Sequence, residues 1–209
     1  MADVLLLGAG GHARALVAAL TMSGIDIRGY LAPVRSEGFA DLDWLGSDEK
    51  LADFDPAEVE VVNALGSTKS LSLRRKLYDQ ATSKGFTVAS VIHPRAFIDP
   101  SAVLGNGVHV LVGAIVNAGT RVGSNSIINS GAIVEHDTVV GDHSHIAPGA
   151  VLGGSVVVGS ECHVGLGSRV IQEVEIGSGG VVGAGAVVLH DVAPHTTVVG
   201  VPAHPIPGK

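Results

Sequence analysis

The chain has 209 residues and a formal net charge of −7, and 46% of its residues are hydrophobic against 16% charged. This composition is too apolar for a disordered protein, its acidity disfavours nucleic acid as a partner, and no apolar run reaches the roughly 18 residues of a membrane-spanning helix. Because one cysteine cannot form an intrachain disulfide and the first residues do not resemble a secretion signal, a cytoplasmic location is expected.

Short apolar runs and helical patterns alternate in the first part of the chain. The predicted elements, in chain order, are a strand at 4–7, a helix at 12–22, strands at 27–31 and 59–64, a helix at 71–83 and a strand at 87–92. Such alternation is typical of a parallel sheet with helices on its faces, so we expect a small Rossmann-like sheet. In the second helix, Arg74, Arg75 and Lys76 are expected to form a solvated face.

Glycines join the first strand to the first helix. Gly8, Gly10 and Gly11 permit the close approach of a phosphate, and the N–H groups of a helix that starts near His12 would face such an anion. An NAD site also requires an acidic residue at the end of the second strand, about twenty residues on. Residues 31–33 are Leu-Ala-Pro instead. The pattern disfavours a dinucleotide and leaves open a phosphate-binding turn or a turn without a ligand.

A change in composition divides the chain near Pro94. All seven aromatic residues lie between Tyr30 and Phe97, whereas residues 98–209 contain 20 of the 29 glycines. Pro94 also biases the residue before it towards an extended conformation. We therefore expect two domains, residues 1–93 and residues 94–209.

The second domain repeats every six residues from Ala96 onwards. The third residue is aliphatic in sixteen consecutive hexads, from Ile98 to Val188, while the first is mostly small and the fourth is often glycine. A β-sandwich would instead need turn signals every 8 to 12 residues. Each hexad predicts one short strand and one corner, and three hexads make an eighteen-residue coil, giving about five coils stacked at roughly 4.8 Å. The period leaves the handedness open, and the general rule for parallel crossovers favours a right-handed winding.

Three further motifs accompany the hexads: GAGGH at residues 8–12, IVEHD at 133–137 and GVPA at 200–203. Together they resemble the hexapeptide acyltransferases, which form a left-handed parallel β-helix. Within these, the chain is most similar to the nucleotide-amino-sugar N-acetyltransferases of bacillosamine and perosamine pathways and the related sialic acid O-acetyltransferases. The resemblance covers nearly the whole chain. It implies a homotrimer that uses acetyl-CoA and no metal to acetylate the amine of a nucleotide-linked amino sugar.

The catalytic residues that the resemblance implies are His136 and Asp137. A neutral histidine accepts a proton near pH 7, and a carboxylate on its other ring nitrogen fixes the tautomer. The eighteen-residue coil places Gly154 next to His136 on the adjacent coil, which leaves room for a thioester and offers a backbone N–H to its oxygen. Neighbouring residues on a regular strand point apart, so the pairing of His136 with Asp137 depends on the corner.

The resemblance also implies binding residues. The acceptor sugar is expected near Asn129 and His145, with the nucleotide diphosphate at the glycine-rich turn and Gly66 beside it. His145 is also expected to help hold the acetyl donor, whose pantetheine arm follows a groove between subunits. The residues implied for this groove and for the coenzyme A phosphates are Gly165, Leu166, Ala184, Arg169 and Lys209. Backbone amides must carry much of this binding, because residues 98–209 contain three basic residues against eight acidic ones.

Ala32 and Pro33 stand where many relatives carry acidic residues that contact the nucleoside, which leaves the nucleotide open between UDP, dTDP and GDP. In a second departure from the family pattern, His204 replaces a basic residue near the end. Three other functions remain alternatives: an O-acetyltransferase of a sialic-acid-like sugar, a metal hydratase resembling γ-class carbonic anhydrase that uses His145 and His163, and a non-catalytic scaffold.

Overall fold

The chain forms two compact units, residues 1–94 and residues 95–209. The computed structural model describes residues 3–39, 41–67 and 71–206. No helix among these residues is long and apolar enough to cross a membrane.

The amino-terminal unit contains a small parallel sheet. Its elements are β1 (Val4–Leu7), α1 (Gly11–Met22), β2 (Ile27–Leu31), a 3-10 helix (Asp48–Asp53), β3 (Glu60–Asn63), α2 (Leu71–Ser83) and the short β4 (Val91–Ile92). The strand order is β2-β1-β3, so the central β1 is buried along its length. Apolar side chains from both flanking strands and from α2 complete the core, among them Leu31, Val61 and Leu77.

The expected strand at 87–92 is the least accurate prediction in this unit. Val88 forms only an isolated bridge with Val61, through hydrogen bonds from the Val61 N–H to Thr87 and from the Ala89 N–H to Val61. Within the described residues, no strand continues this bridge in the sheet β2-β1-β3, which therefore has three strands. Three strands and a helix of 12 residues do not establish the expected Rossmann-like fold.

The expectation that Arg74 lies on a solvated face is wrong. Arg74 is 1% exposed, because residues 74, 77 and 81 form the buried face of α2. Its Nη1 donates hydrogen bonds to the carbonyl oxygens of Asn63 and Leu65, at 2.6 and 2.7 Å. Burial lowers the pKa of Arg74 to about 9. Arg75 and Lys76 are exposed, as expected.

The second unit is a left-handed parallel β-helix of about six turns. The first face holds β5 (Phe97–Ile98), β8 (Ile115–Val116), β11 (Ile133–Val134), β14 (Val151–Leu152), β17 (Arg169–Val170) and β20 (Val187–Val188). The second face holds β6 (Val103–Leu104), β9 (Arg121–Val122), β12 (Val139–Val140), β15 (Val157–Val158) and β18 (Glu175–Ile176). The third face holds β7 (His109–Val110), β10 (Ile127–Ile128), β13 (His145–Ile146), β16 (His163–Val164), β19 (Val181–Val182), β21 (Thr197–Val199) and the antiparallel β22 (His204–Ile206).

The hexad prediction is confirmed strand by strand. Each predicted third residue is the second residue of its strand, and from Val110 to Val188 all of them are buried. Ile98 and Leu104, in the first coil, are half-buried. Consecutive coils pair residues eighteen apart, as Val134 pairs with Val116 and Leu152. The winding is left-handed, as the resemblance implies, and the general crossover rule does not apply to this fold.

Candidate active site

His136 and Asp137 lie at a corner between the first and second faces, directly after β11. Asp137 has a φ of +59°, the left-handed conformation that turns the chain at this corner. This conformation swings its carboxylate back, so that Asp137 Oδ2 lies 2.9 Å from His136 Nδ1. The two side chains are 62% and 67% exposed. The corner therefore brings together two neighbouring side chains that a straight strand would separate.

On the next coil, Gly154 has no side chain to cover Nε2 of the His136 ring. A Cβ placed on Gly154 would lie 2.6 Å from both Nε2 and Cε1 of His136, so any side chain there would occupy the space in front of Nε2. The Gly154 carbonyl accepts a hydrogen bond from the Glu173 N–H at 3.0 Å. Its N–H donates no hydrogen bond to any residue that the structure describes. A backbone donor without an acceptor thus lies beside a ring nitrogen.

The hydrogen bond to Asp137 sets the tautomer of the neutral ring. A carboxylate only accepts hydrogen bonds, so Nδ1 of the neutral imidazole carries the hydrogen and Nε2 carries a lone pair. On the preceding coil, the Asp137 N–H donates to the Ala118 carbonyl at 2.8 Å, and the carboxylate lies over Gly119. The arrangement presents a proton acceptor, Nε2, to whatever occupies the space next to Gly154.

Asn129, at the corner between the third and first faces, and His145, on the third face, form a second group. Asn129 Nδ2 lies 2.9 Å from His145 Nε2, and Asn129 Oδ1 accepts the Ser130 N–H at 2.8 Å. The His145 ring packs edge-on against His163, with centroids 5.1 Å apart, and burial lowers the pKa of His163. His136 belongs to another corner of the prism. One chain therefore does not place His145 and His136 in one site.

The residues implied for the acetyl donor lie at this same third-to-first corner. A Cβ on Gly165 would lie 2.7 Å from the Ala184 nitrogen, so the two coils touch backbone to backbone there. Leu166 is 59% exposed, and its carbonyl accepts the Gly185 N–H at 2.8 Å. The exposed Arg169 begins β17 one strand further on. Lys209 lies outside the described residues.

The glycine-rich turn lies at the carboxyl end of β1. Gly8 has a φ of +110°, and a Cβ there would lie 2.9 Å from the Leu65 side chain. Gly10 is the N-cap of α1 and makes no side-chain hydrogen bond, and the N-terminus of a helix attracts anions. A Cβ on Gly66 would lie 3.3 Å from His12 Cβ, which places these two residues together. Burial, and then the charge of Arg74, lower the pKa of His12 to about 3.

Two residues at or near these sites were missed in the sequence. Glu135 received no role, yet its Oε2 accepts a hydrogen bond from Asn117 Nδ2 at 2.9 Å beside His136. The eighteen-residue spacing from 117 to 135 is the signal that finds this pair. Arg74 was missed as a buried group, although Leu77 and Ala81 share its helical face.

A metal site is the arrangement with the least support. His145 and His163 stack, but the described parts of the chain contain no group of three His, Cys, Asp or Glu residues placed to hold a metal ion.

Comparisons with known proteins identify both repeats and relatives. The family model "Bacterial transferase hexapeptide (six repeats)" matches residues 119–154, a segment that contains His136, Asp137 and Gly154. The acetyltransferase domain of PglB from Neisseria gonorrhoeae FA1090 is 31% identical with a TM-score of 0.93, over 99% of this chain and 100% of that chain. No curated protein sequence matches the chain.

Two more solved structures are similar along nearly their whole length. A variant of perosamine N-acetyltransferase from Caulobacter crescentus, in complex with CoA and GDP-perosamine, is 34% identical with a TM-score of 0.91, over 100% of this chain and 98% of that chain. WeeI from Acinetobacter baumannii AYE is 21% identical with a TM-score of 0.86, over 98% and 99% of the two chains. At that identity the last likeness concerns the fold alone.

Proposed function

Because this chain belongs to the hexapeptide-repeat acetyltransferases, in the group related to the nucleotide-amino-sugar N-acetyltransferases, we propose that it transfers an acetyl group from acetyl-CoA to the amine of a nucleotide-linked amino sugar. The relatives support both substrates. The PglB domain was solved with acetyl coenzyme A, and the Caulobacter enzyme with CoA and GDP-perosamine.

One observation supports the catalytic assignment. His136 Nδ1 is hydrogen-bonded to Asp137, and its Nε2 faces Gly154, which has no side chain to fill the space. In the proposed reaction the amine nitrogen attacks the thioester carbonyl carbon, and its proton passes to His136 Nε2. Asp137 stabilises the imidazolium that forms. The carbon–sulfur bond then breaks, and the sulfur of coenzyme A takes the proton from His136. The Gly154 N–H donates to the carbonyl oxygen while that oxygen carries negative charge.

A histidine also stands out in the relatives. Two Caulobacter structures with CoA and GDP-perosamine bound are variants in which one histidine is replaced, by asparagine or by alanine. This choice of residue supports a role for a histidine in the family's reaction.

The two separate groups on one chain favour an active site shared between copies. His136 lies at the first-to-second corner, whereas Asn129 and Gly165 lie at the third-to-first corner and His145 lies on the third face beside Asn129. We propose a homotrimer in which one subunit supplies the base and its neighbour supplies the groove for acetyl-CoA. Trimerisation would also cover exposed apolar side chains on the outer faces, such as Val103, Val139 and Val157. Arg169 is then a candidate contact for a coenzyme A phosphate, because its side chain is exposed.

We assign the acceptor's nucleotide to the amino-terminal unit, as a Rossmann-like binding domain. The diphosphate is proposed to lie on the turn of Gly8, Gly10 and Gly11, at the N-terminus of α1. His12 stays neutral at physiological pH because burial and Arg74 hold its pKa low, so it contacts the ligand by hydrogen bonding and not by charge.

The decisive experiment replaces the base. His136→Ala is expected to lower kcat by at least about 100-fold, because general base catalysis contributes that much or more. The measurement is release of the coenzyme A thiol from acetyl-CoA with UDP-, dTDP- and GDP-linked amino sugars as acceptors. His190→Ala is the matched control, since His190 is exposed and follows β20 of the first face, as His136 follows β11. Full turnover by His136→Ala would refute the assignment, provided that the trimer and the melting temperature are unchanged.

A further inference from the structure

The loop after β2 is held against the glycine-rich turn. Ser36 Oγ donates to the Ala9 carbonyl at 3.2 Å, and the Ser36 N–H donates to the Tyr30 hydroxyl at 2.9 Å. Arg14 reaches the same loop from α1, because a Cβ on Gly38 would lie 3.5 Å from Arg14 Nη1. The carboxyl ends of β1 and β2 meet at one sheet edge, where ligands of parallel sheets bind. A nucleotide with its diphosphate on the glycines therefore has its base beside this loop.

A cavity of about 430 Å³ opens at the loop, lined by Arg35, Ser36, Glu37 and Phe39. Phe39 is 6% exposed and packs against Tyr30, with ring centroids 5.4 Å apart, so the cavity has a fixed aromatic floor. Arg35 and Glu37 are exposed, and neither forms an ion pair or side-chain hydrogen bond within the described residues. The cavity thus holds one guanidinium and one carboxylate that the fold itself does not use.

These two groups select among the nucleobases by their hydrogen-bonding patterns. A carboxylate accepts two parallel hydrogen bonds, and guanine offers two adjacent donors, N1–H and the N2 amine. Uracil and thymine offer one donor flanked by two carbonyl oxygens, which a carboxylate repels, and adenine has no ring N–H on that edge. A guanidinium binds guanine O6 and N7 as a bidentate pair. Guanine therefore satisfies both groups with two hydrogen bonds each, whereas cytosine and adenine offer a carboxylate only one amine.

We propose that the acceptor is a guanosine diphosphate sugar, with Glu37 and Arg35 as the residues that recognise the base. The inference rests on the proposed function only in that the nucleotide belongs to the acceptor. Ala32 and Pro33, which directly follow β2, carry no polar side-chain group, so Arg35 and Glu37 are the first charged side chains after the strand. Phe39 supports the plane of the base.

The test measures nucleotide binding and needs no turnover. Isothermal titration of the intact protein with GDP, UDP, dTDP and ADP is expected to give a Kd for GDP at least about tenfold below the others, because a lost bidentate contact costs that much or more. Equal affinity for GDP and UDP would overturn the inference and leave the acetyltransferase assignment standing. Tight GDP binding without any acetyl transfer would support the inference and contradict the acetyltransferase assignment.

Two variants assign the contacts to residues. Glu37→Gln keeps the shape but replaces one acceptor oxygen with a donor, so GDP affinity is expected to fall about tenfold while UDP affinity does not fall. Inosine diphosphate lacks the N2 amine, so the wild-type preference for GDP over inosine diphosphate should disappear in Glu37→Gln. Glu49→Gln, an exposed carboxylate of the same unit, is the matched control. A GDP preference that survives Glu37→Gln would remove Glu37 from the site.

Arg35→Lys supplies the second assignment. Lysine keeps the charge but loses the planar fork that binds O6 and N7 together. GDP affinity is expected to fall about tenfold, with little change for UDP. An equal fall for both nucleotides would mean that Arg35 contacts the diphosphate and not the base, which would contradict its proposed role.

Discussion

The two units of this chain relate sequence to contacts in different ways. In the β-helix each residue lies beside the residues eighteen positions before and after it, as Val134 lies between Val116 and Leu152. In the amino-terminal unit the contacts follow no period, and Arg74 is bonded to Asn63 and Leu65. A repeat therefore allows neighbours to be counted, whereas the non-repeating unit has neighbours that only its folding reveals.

The largest expected effect is in the non-repeating unit, at Arg74. Arg74→Met leaves two buried carbonyl groups without their donor and is expected to lower the free energy of unfolding by about 3 kcal/mol. Trp44 is the one tryptophan of the chain, so its fluorescence during urea unfolding reports on this unit alone.

The adjacent arginine provides the control for that measurement. Arg75 is exposed and pairs with Asp79 at 3.5 Å, so Arg75→Met is expected to cost less than about 0.5 kcal/mol. Equal losses of stability in the two variants would contradict the buried role of Arg74. They would mean that the solvated helix face expected from the sequence was correct.

The next largest effects concern two neighbouring glycines of the repeat, Gly153 and Gly154, of which one is expected to affect activity and the other stability. Gly154→Ala places a methyl group against the exposed His136 ring, which can rotate away, so kcat/KM is expected to fall about 100-fold with the melting temperature unchanged. A Cβ on Gly153 would lie 2.6 Å from the backbone nitrogen of Gln172, which cannot move alone.

Gly153→Ala is therefore expected to act on stability, with a cost of about 1–3 kcal/mol. Acetyl-transfer rates and thermal unfolding followed by circular dichroism, measured on both variants, distinguish the two outcomes. If Gly154→Ala retained full activity, the space beside His136 Nε2 would not be where the thioester binds.

The smallest expected effect is a pH dependence in the amino-terminal unit. His12 has a pKa of about 3 in the folded chain against 6.5 for an unperturbed histidine. Below pH 6.5 the unfolded chain takes up a proton that the folded chain does not, so the unfolding free energy falls as pH falls from 6.5 towards 3 and is constant above 6.5. At pH 5 the loss is about 2 kcal/mol.

His12→Gln isolates this contribution, because glutamine does not titrate. Between pH 7 and pH 5 the wild type is expected to lose about 2 kcal/mol of unfolding free energy relative to His12→Gln, as followed by Trp44 fluorescence. A difference between the two proteins that stays constant over this range would mean that His12 titrates normally in the folded chain.

The strands and the stacking of the β-helix were predictable because one six-residue repeat describes the whole unit. An aliphatic side chain at every sixth residue points inward, and the stacking of identical coils places His136 beside Gly154 by addition alone. The handedness was not predictable from the period, since the inward pattern is the same for either winding. The pairing of His136 with Asp137 also needed coordinates, because it depends on the φ of one corner residue.

The amino-terminal unit was predictable only element by element. The strands at 4–7 and 27–31 and the helix at 71–83 have the expected bounds. The burial of Arg74 and the isolated bridge at Val88 were not expected, because each depends on which side chain or strand lies opposite. The cavity at Glu37 belongs to the same class, since a loop sequence does not reveal what it encloses.

By itself the sequence determined the six-residue repeat, the inward aliphatic column and the identity of the residues eighteen apart, because these follow from spacing along one chain. Only the tertiary structure decided the winding, the direction of the Asp137 carboxylate and the distribution of the predicted site residues over two corners. Spacing specifies which residues are neighbours, whereas backbone torsion and three-dimensional packing specify which way their side chains point.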